Sequence, residues 1–373
     1  MFLFPAALLK RKLKACSYSL VVATFGVVSL SSFSNSTFLA SEAHAADKAA
    51  TEKGVVNIYS YRQPYLVKPL LEEFTKQTGI QTKVIFAKKG LIERIAAEGK
   101  LSPADVLLTV DIGRLSAAVE KGISQPVKSS AIEGNIPAKY RSAKGDWFGL
   151  TVRSRVVYAS KDRVGQDAIT YEDLADPKWR GKICMRSGQH VYNVAMIASM
   201  IAHNGAEKTK TWLKGLKANL ARKPSGNDRA QIKAVFAGQC DLAIGNTYYM
   251  GKMQNNEKKP EQKKWAASVK LLFPNTKTRG AHVNLSGMVL AKHAPNKASA
   301  VKLMEFLSSE KAQQIYSKVN FEYPVKEGVA WSDLVKSWGE FKADDLALDK
   351  IANLRKAASL LVDETDLNNG PSS

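Results

Sequence analysis

The sequence predicts an α/β protein of two lobes with a ligand cleft between them, on three observations. Short apolar runs alternate with amphipathic stretches of helical period from residue 55 onward. Two such series follow one another, flanked by long apolar strands at 152–159 and 283–291. About 328 residues follow an N-terminal leader, more than a single core ordinarily organises.

In the first series, 55–59 reads as a strand and 66–78 as an amphipathic helix stopped by Gly79. Strand 82–86, helix 91–99, strand 105–109 and helix 112–121 with its stop at Gly122 complete the βαβαβ rhythm of a doubly wound domain. After strand 152–159 comes a second series: strand 182–185, helices 191–203, 208–219 and 229–237, and strand 240–245. Strand 283–291 leads into helix 297–308 and further helices toward the C-terminus. Residues 54–152 and 283–320 are assigned to the N-lobe, 153–282 to the C-lobe, and 321–373 to helices packing on the lobes. The last residues, 368–373, are expected to lack structure.

The leader has Lys10, Arg11, Lys12 and Lys14 ahead of an apolar stretch at 18–30, and closes with Ala43-His44-Ala45. This is the pattern of a secretory signal cleaved after Ala45, leaving a soluble exported chain. Serines and threonines interrupt the apolar run and no later segment is apolar for ~18 residues, which favours export over an uncleaved anchor. Cys16 precedes the apolar region, so lipidation is not expected. Export leaves Cys184 and Cys240, each in a short strand; a disulfide and a buried pair of free thiols are both open. The formal charge is +21, but it is dispersed, with short runs such as Lys258-Lys259 and Lys263-Lys264. With no nucleic-acid-binding motif beside it, such charge serves solubility or attraction to an anionic surface, and no nucleic acid is expected as a partner.

Phosphate-binding P-loop, dinucleotide glycine fingerprint, HExxH and GxSxG motifs are absent, so the chain reads as a binding protein, not an enzyme. A thiol enzyme built on Cys184 and Cys240 is the competing catalytic reading. Five histidines are scattered without metal-ligand spacing; His190, beside Ser187-Gly188, is near a candidate site and is expected at the surface. Residues 238–249 form a buried-strand pattern ending in Tyr248-Tyr249. A phenol has an unperturbed pKa near ~10, so clustering tyrosines gains nothing unless a strong Lewis acid removes their protons. Ferric ion is such an acid, and phenolate is a hard donor suited to it. On the dipeptide alone, a strand terminus with one ring in the core and the other at the surface remains an open reading. Tyr61, Ser187 and Tyr248 each follow a strand candidate, where ligand-binding loops of α/β sheets lie.

Five segments in order add to this: VNIYSYRQPY at 56–65, SPADV at 102–106, DPKWRGK at 176–182, GNTYY at 245–249 and HVNLSG at 282–287. Through them, nearly all of the mature chain resembles the bacterial periplasmic ferric-ion-binding proteins of ABC transporters. The resemblance implies a class II, transferrin-like two-lobed fold with a hinge and interlobe cleft. It implies a monomer that captures Fe(3+) in a tyrosine-rich site and delivers it to a transporter permease. It also implies Tyr248 and Tyr249 as ligands, joined by Tyr192 in the segment after Arg186-Ser187. Many relatives carry a histidine after the arginine equivalent to Arg62; this chain has Gln63-Pro64-Tyr65, so that ligand is missing. Tyr61 or Tyr65 can supply a phenolate instead, or either can pack under the following helix. Tyr61 is slightly preferred because Pro64 opens the helix and turns Tyr65 away. Three phenolates neutralise a ferric ion, and a further anion, carbonate or another synergistic anion, calls for a cation. Arg153 is the candidate, with Arg62 as the alternative and Ser187 in the same anion-binding set; a plain salt bridge is the competing reading for both arginines. A binding protein of the same fold for an organic or oxyanionic solute is the alternative function.

Overall fold

The computed structural model describes residues 54–371; the expected leader, with Cys16 and the cleavage point after Ala45, lies outside the described residues. The chain opens with β1 (Val55–Ser60), α1 (Pro64–Thr78), β2 (Gln81–Phe86), α2 (Leu91–Glu98), β3 (Val106–Thr109) and α3 (Ile112–Glu120). Helix α1 starts two residues earlier than its hydrophobic period, because Pro64 at the first turn needs no amide partner and has its φ preset. Leu66, Val67, Leu70, Leu71 and Phe74 form its buried face, and Gly79, at φ 73°, closes it with an N–H to the Thr75 carbonyl. Strand β1 pairs in parallel with β2 and β3, as the βαβ rhythm requires.

Next come β4 (Ser124–Gln125), α4 (Ser130–Asn135) and β5 (Phe148–Ser160). The second series holds β6 (Ile183–Cys184), α5 (Val191–Asn204), α6 (Ala206–Ala218), α7 (Asp228–Phe236), β7 (Leu242–Asn246), α8 (Tyr248–Gln254), α9 (Glu261–Ala267) and β8 (Val269–Leu272). The chain then runs through β9 (Val283–Ala291), α10 (Lys297–Ser308), α11 (Glu310–Ile315), a π-helical turn at Tyr316–Asn320, β10 (Tyr323–Pro324), α12 (Asp333–Lys336), α13 (Leu348–Asn353) and α14 (Arg355–Glu364). Among the described residues no helix is long and apolar enough to cross a membrane.

Strand β5 is buried along all its residues and serves two sheets. Up to Ser154 it pairs with β9, completing the order β2-β1-β3-β9-β5, with β4 on β9 and β10 on β5. From Arg155 onward it pairs with β7 and then β8, giving β6-β7-β5-β8. Of the two long flanking strands, β5 alone runs through both sheets. Val283 begins opposite Ser154, where β5 changes sheets, so β9 belongs to the first sheet; the crossing is made just before it, where the His282 carbonyl accepts the Arg155 N–H at 3.0 Å.

Cys184 and Cys240 form a disulfide with Cα atoms 5.9 Å apart, both side chains buried, tying β6 to the approach of β7. This resolves the choice left open by their spacing. At the C-terminus, α13 packs against both α3 and α5, and α14 lies along α5 and α6. Leu367–Asn369 form a 3-10 turn, so the expectation of an unstructured tail from 368 is wrong for that turn.

Candidate functional site

A cleft of about 390 Å³ lies where β1, β3 and β7 end and where β5 passes from one sheet to the other. From the side of the first sheet it is lined by Tyr61, Arg62, Tyr65, Lys88 and Arg114; from the second by Arg186, His190, Tyr192, Arg229, Tyr248, Tyr249 and Lys252. Arg153 and Ser286, on the central strands, and Glu322, just before β10, complete its floor.

Tyr248 and Tyr249 do not end a strand. They are the first two residues of α8, with Thr247 alone between the end of β7 and the helix. Their rings lie 4.4 Å apart, and the Tyr248 hydroxyl donates to the Tyr192 oxygen at 3.2 Å. Three tyrosines separated by up to 57 positions thus bring their phenols together on one wall. Burial, then the neighbouring phenol oxygens of Tyr192 and of each other, push Tyr248 well above the ordinary tyrosine range. Burial, then Tyr192 and Asp228, do the same for Tyr249. Both are neutral phenols at physiological pH unless something replaces their protons.

Behind Tyr192 stands a buried ionic network. Asp228 is fully buried, and burial alone would raise its carboxyl; the guanidinium groups of Arg155 at 2.7 Å and Arg186 at 2.9 Å outweigh that and hold it below the usual range. Arg155 also donates to Asn193 and Asn246. The guanidinium carbons of Arg186, Arg153 and Arg155 lie 5.5, 5.6 and 5.9 Å from the Tyr192 ring centre. Three cations around one phenol are ready countercharges for an oxygen that becomes anionic.

Arg153 and Arg62 differ in their partners. Arg62 donates to Glu322 at 2.7 Å, and the same carboxylate oxygen accepts the Thr151 hydroxyl at 2.8 Å. Burial works against that carboxylate, but Arg62 and Arg153 outweigh it and keep it ionised. Arg153 is 2% exposed and donates through one nitrogen to the Ser286 hydroxyl at 2.9 Å; its other two nitrogens have no partner. Buried donors left unpaired on a charged group are costly.

The remaining sequence-predicted residues divide. Tyr61 lines the cleft, but its oxygen accepts the amides of Leu91 and Ile92, both at 3.0 Å, at the start of α2, and the Arg114 guanidinium covers its ring at 4.2 Å. Tyr65 is 58% exposed on the first turn of α1 and is not turned away from the cleft; Lys252 Nζ stands 5.5 Å from its ring. The slight preference for Tyr61 as a free phenol therefore loses its basis. Ser187 is not among the residues lining the cleft; its hydroxyl bonds Asn368 at 3.2 Å.

His190, expected at the surface, lines the cleft. Its Nδ1 accepts the Tyr192 amide as the cap of α5, and its ring meets Tyr192 edge-on at 4.5 Å. Burial, then Arg186 and Arg155, lower its pKa to about 3, so the imidazole is neutral. Lys252, one turn into α8, was not foreseen. Its ammonium sits 4.7 Å over Tyr248, and burial, reinforced by Arg62 and Arg229 against the pull of Glu322, lowers its pKa to about 7.

The lining carries seven cationic side chains and one carboxylate, so a bare cation meets repulsion until phenols ionise or an anion enters with it. Among the described residues no group of three or more His, Cys, Asp or Glu is placed to hold a metal. The donors available are phenol oxygens, which suit a hard, highly charged ion.

A family model described as bacterial extracellular solute-binding protein matches residues 102–343. The chain is 46% identical over 315 residues to iron uptake protein A1 of Synechocystis, covering 84% of this chain and 87% of that one. The apo ferric ion-binding protein A of Pasteurella haemolytica is a structural match at 54% identity and TM-score 0.80, covering 84% of this chain and 98% of that one. A Trichodesmium protein solved in complex with iron and citrate matches at 45% identity and TM-score 0.80, covering 84% and 99%.

Proposed function

The chain belongs to the bacterial extracellular solute-binding protein family, and from that premise we propose that it captures ferric ion, together with an anion, in the interlobe cleft. We take it to do so in the periplasm, after removal of the leader, and to hand the ion to an ABC transporter permease. The convergence of Tyr192, Tyr248 and Tyr249 on one wall beside the unpartnered nitrogens of Arg153 carries this reading. The names of the similar proteins, an iron uptake protein and a ferric ion-binding protein, support it.

In this reading the three tyrosines are the protein ligands. Ferric ion is a strong enough Lewis acid to displace protons from buried phenols, and three phenolates balance its charge. Arg155 and Arg186 offset the negative charge gathered at Tyr192, and Arg153 receives the anion, carbonate or a carboxylate such as citrate, that completes the sphere. Arg62, neutralised by Glu322, braces the floor instead of competing for that anion. Tyr61 holds the start of α2, leaving Tyr65 as the phenol able to approach from the first wall.

One lobe comprises 54–152 and 283–320 and the other 153–282, with 321–373 lying on both. The ion meets the second wall first, and bending where β5 changes sheets closes the first wall over it and excludes water. The cationic lining also favours a second reading, an oxyanionic organic solute without metal; that reading gives the clustered phenols no task.

Proton release separates the two. Binding of one ferric ion by three phenolates liberates about three protons, and affinity falls as pH falls because protons reclaim the oxygens. Titration in lightly buffered solution with ferric nitrilotriacetate, corrected for hydrolysis of the chelate and for the proton taken up by each freed nitrilotriacetate, is expected to show that release. Binding without net protons from the protein, and with affinity flat between pH 6 and pH 8, would point to the oxyanion instead.

A further inference from the structure

The turn that carries Tyr192 into the cleft is gripped from outside the second lobe's own fold. Ser187, Gly188 and Gln189 lead through His190 into α5. On the inner side, Asn193 donates to the carbonyls of Arg186 and Ser187, both at 3.0 Å, while its own oxygen is held by Arg155. On the outer side the partners come from the C-terminal segment, some 170 to 180 residues away in sequence. Asn368 Oδ1 accepts the Gly188 amide at 2.8 Å and the Ser187 hydroxyl at 3.2 Å. Gln189 donates to the Ser359 carbonyl at 2.9 Å and to Asp363 at 2.8 Å, and takes the Ser359 hydroxyl at 2.6 Å.

The approach is close enough to demand glycine: a Cβ on Gly188 would fall 2.8 Å from Val362 and 2.9 Å from Leu367. The same C-terminal segment reaches the other wall, because α13 packs on α3 and Arg355 covers Gly113, where a Cβ would overlap the guanidinium. What the distant grip adds is a fixed setting of the backbone four residues before Tyr192, made by a segment that also touches the opposite wall.

We infer that Asn368 is a positioning residue for the ligand wall, its side-chain carbonyl setting the Ser187–Gly188 turn so that the Tyr192 oxygen meets those of Tyr248 and Tyr249. The inference rests on the ferric reading above and deepens it. It makes the C-terminal turn part of the binding machinery without touching the ligand. A group that holds a metal ligand in place typically alters metal affinity by roughly tenfold to a hundredfold when removed.

Asn368→Ala removes the acceptor, whereas Asn368→Asp keeps an oxygen at the same reach. The purified mature chain and both variants are titrated with ferric citrate while the visible phenolate-to-iron band is recorded, and ferric loss to a competing chelator is then timed. Asn368→Ala is expected to lose about tenfold in affinity, to shift or weaken the band and to release iron faster, with Asn368→Asp restoring all three toward wild type. Thermal unfolding of the apo forms serves as the control for fold. A wild-type band matched in position, intensity and release by a folded Asn368→Ala overturns the inference and leaves the ferric reading standing. A folded Asn368→Asp as impaired as the alanine variant overturns it equally. Absence of a band in wild type would bring down the ferric reading itself, and this inference with it.

Discussion

On the second-lobe wall of the cleft, Tyr192, Tyr248 and Tyr249 bring their phenols together in front of a buried Arg155–Asp228–Arg186 network, whereas on the first-lobe wall Tyr61 has its oxygen occupied by two amides and Tyr65 stands largely in solvent. The first arrangement is organised before any ligand arrives; the second supplies charge and cover. The contrast separates a wall of clustered phenols from a wall of charge and cover; on the ferric proposal, the first supplies most of the donors and the second shields them. On that proposal the cargo rests first on the phenol wall, and closure of the other wall is expected to slow its loss.

The hardest blow to that contrast is expected from Tyr248→Phe with Tyr249→Phe. The double variant folds, because phenyl rings fill the same space, but its ferric affinity drops by roughly four orders of magnitude in equilibrium dialysis, about 5.6 kcal/mol. Tyr61→Phe, by comparison, costs about 1 kcal/mol of stability through the lost cap on α2 and changes affinity less than about threefold. Equal affinity losses in the two would erase the distinction between the walls.

Asp228→Ala attacks the support behind the tyrosines. It leaves Arg155 and Arg186 buried without their carboxylate, and removing one member of a buried ionic group typically destabilises by about 3–5 kcal/mol. Denaturant unfolding should show that loss together with weaker ferric binding; normal stability would mean that the network relaxes into solvent and does not brace the wall.

Arg153→Gln sharpens the comparison at the floor. It keeps a donor toward Ser286 but removes the charge with two unpartnered nitrogens, so affinity should fall about tenfold and cease to depend on added carbonate or citrate. An unchanged anion dependence would move that role to Arg62 or to the cations of the first wall.

Much of this was legible in the sequence because it is local. The βαβ rhythm, the Gly79 stop and the Tyr248-Tyr249 pair are each written in consecutive residues, and the order of short motifs pointed to Tyr192. What was illegible depends on contacts across the chain. The Arg155–Asp228 pair joins residues 73 positions apart and reads locally as two solvated charges. Helix α8 was missed because Tyr248 follows a buried apolar strand with one short turn between, so the tyrosines looked like the strand's end. The tail from 368 reads as unstructured, although Asn368 presents a hydrogen-bond acceptor to Gly188 from 180 positions away. Ser187 was placed at the anion by its position after a strand, yet its hydroxyl goes the other way, to that same acceptor. Tyr61 reads as the freer phenol because Pro64 opens the next helix, and the structure uses the Tyr61 hydroxyl to cap α2.

The central claim, that the clustered phenols on one wall are the ferric ligands, is tested most directly by titrating the purified mature chain with ferric citrate and recording visible absorption. Phenolate-to-iron charge transfer gives a broad visible band that carboxylate or imidazole ligation does not. The account predicts a band that saturates at one iron per chain and is lost in the Tyr248→Phe, Tyr249→Phe variant. Saturable iron binding with no visible band, or a band that survives in that variant, would contradict it.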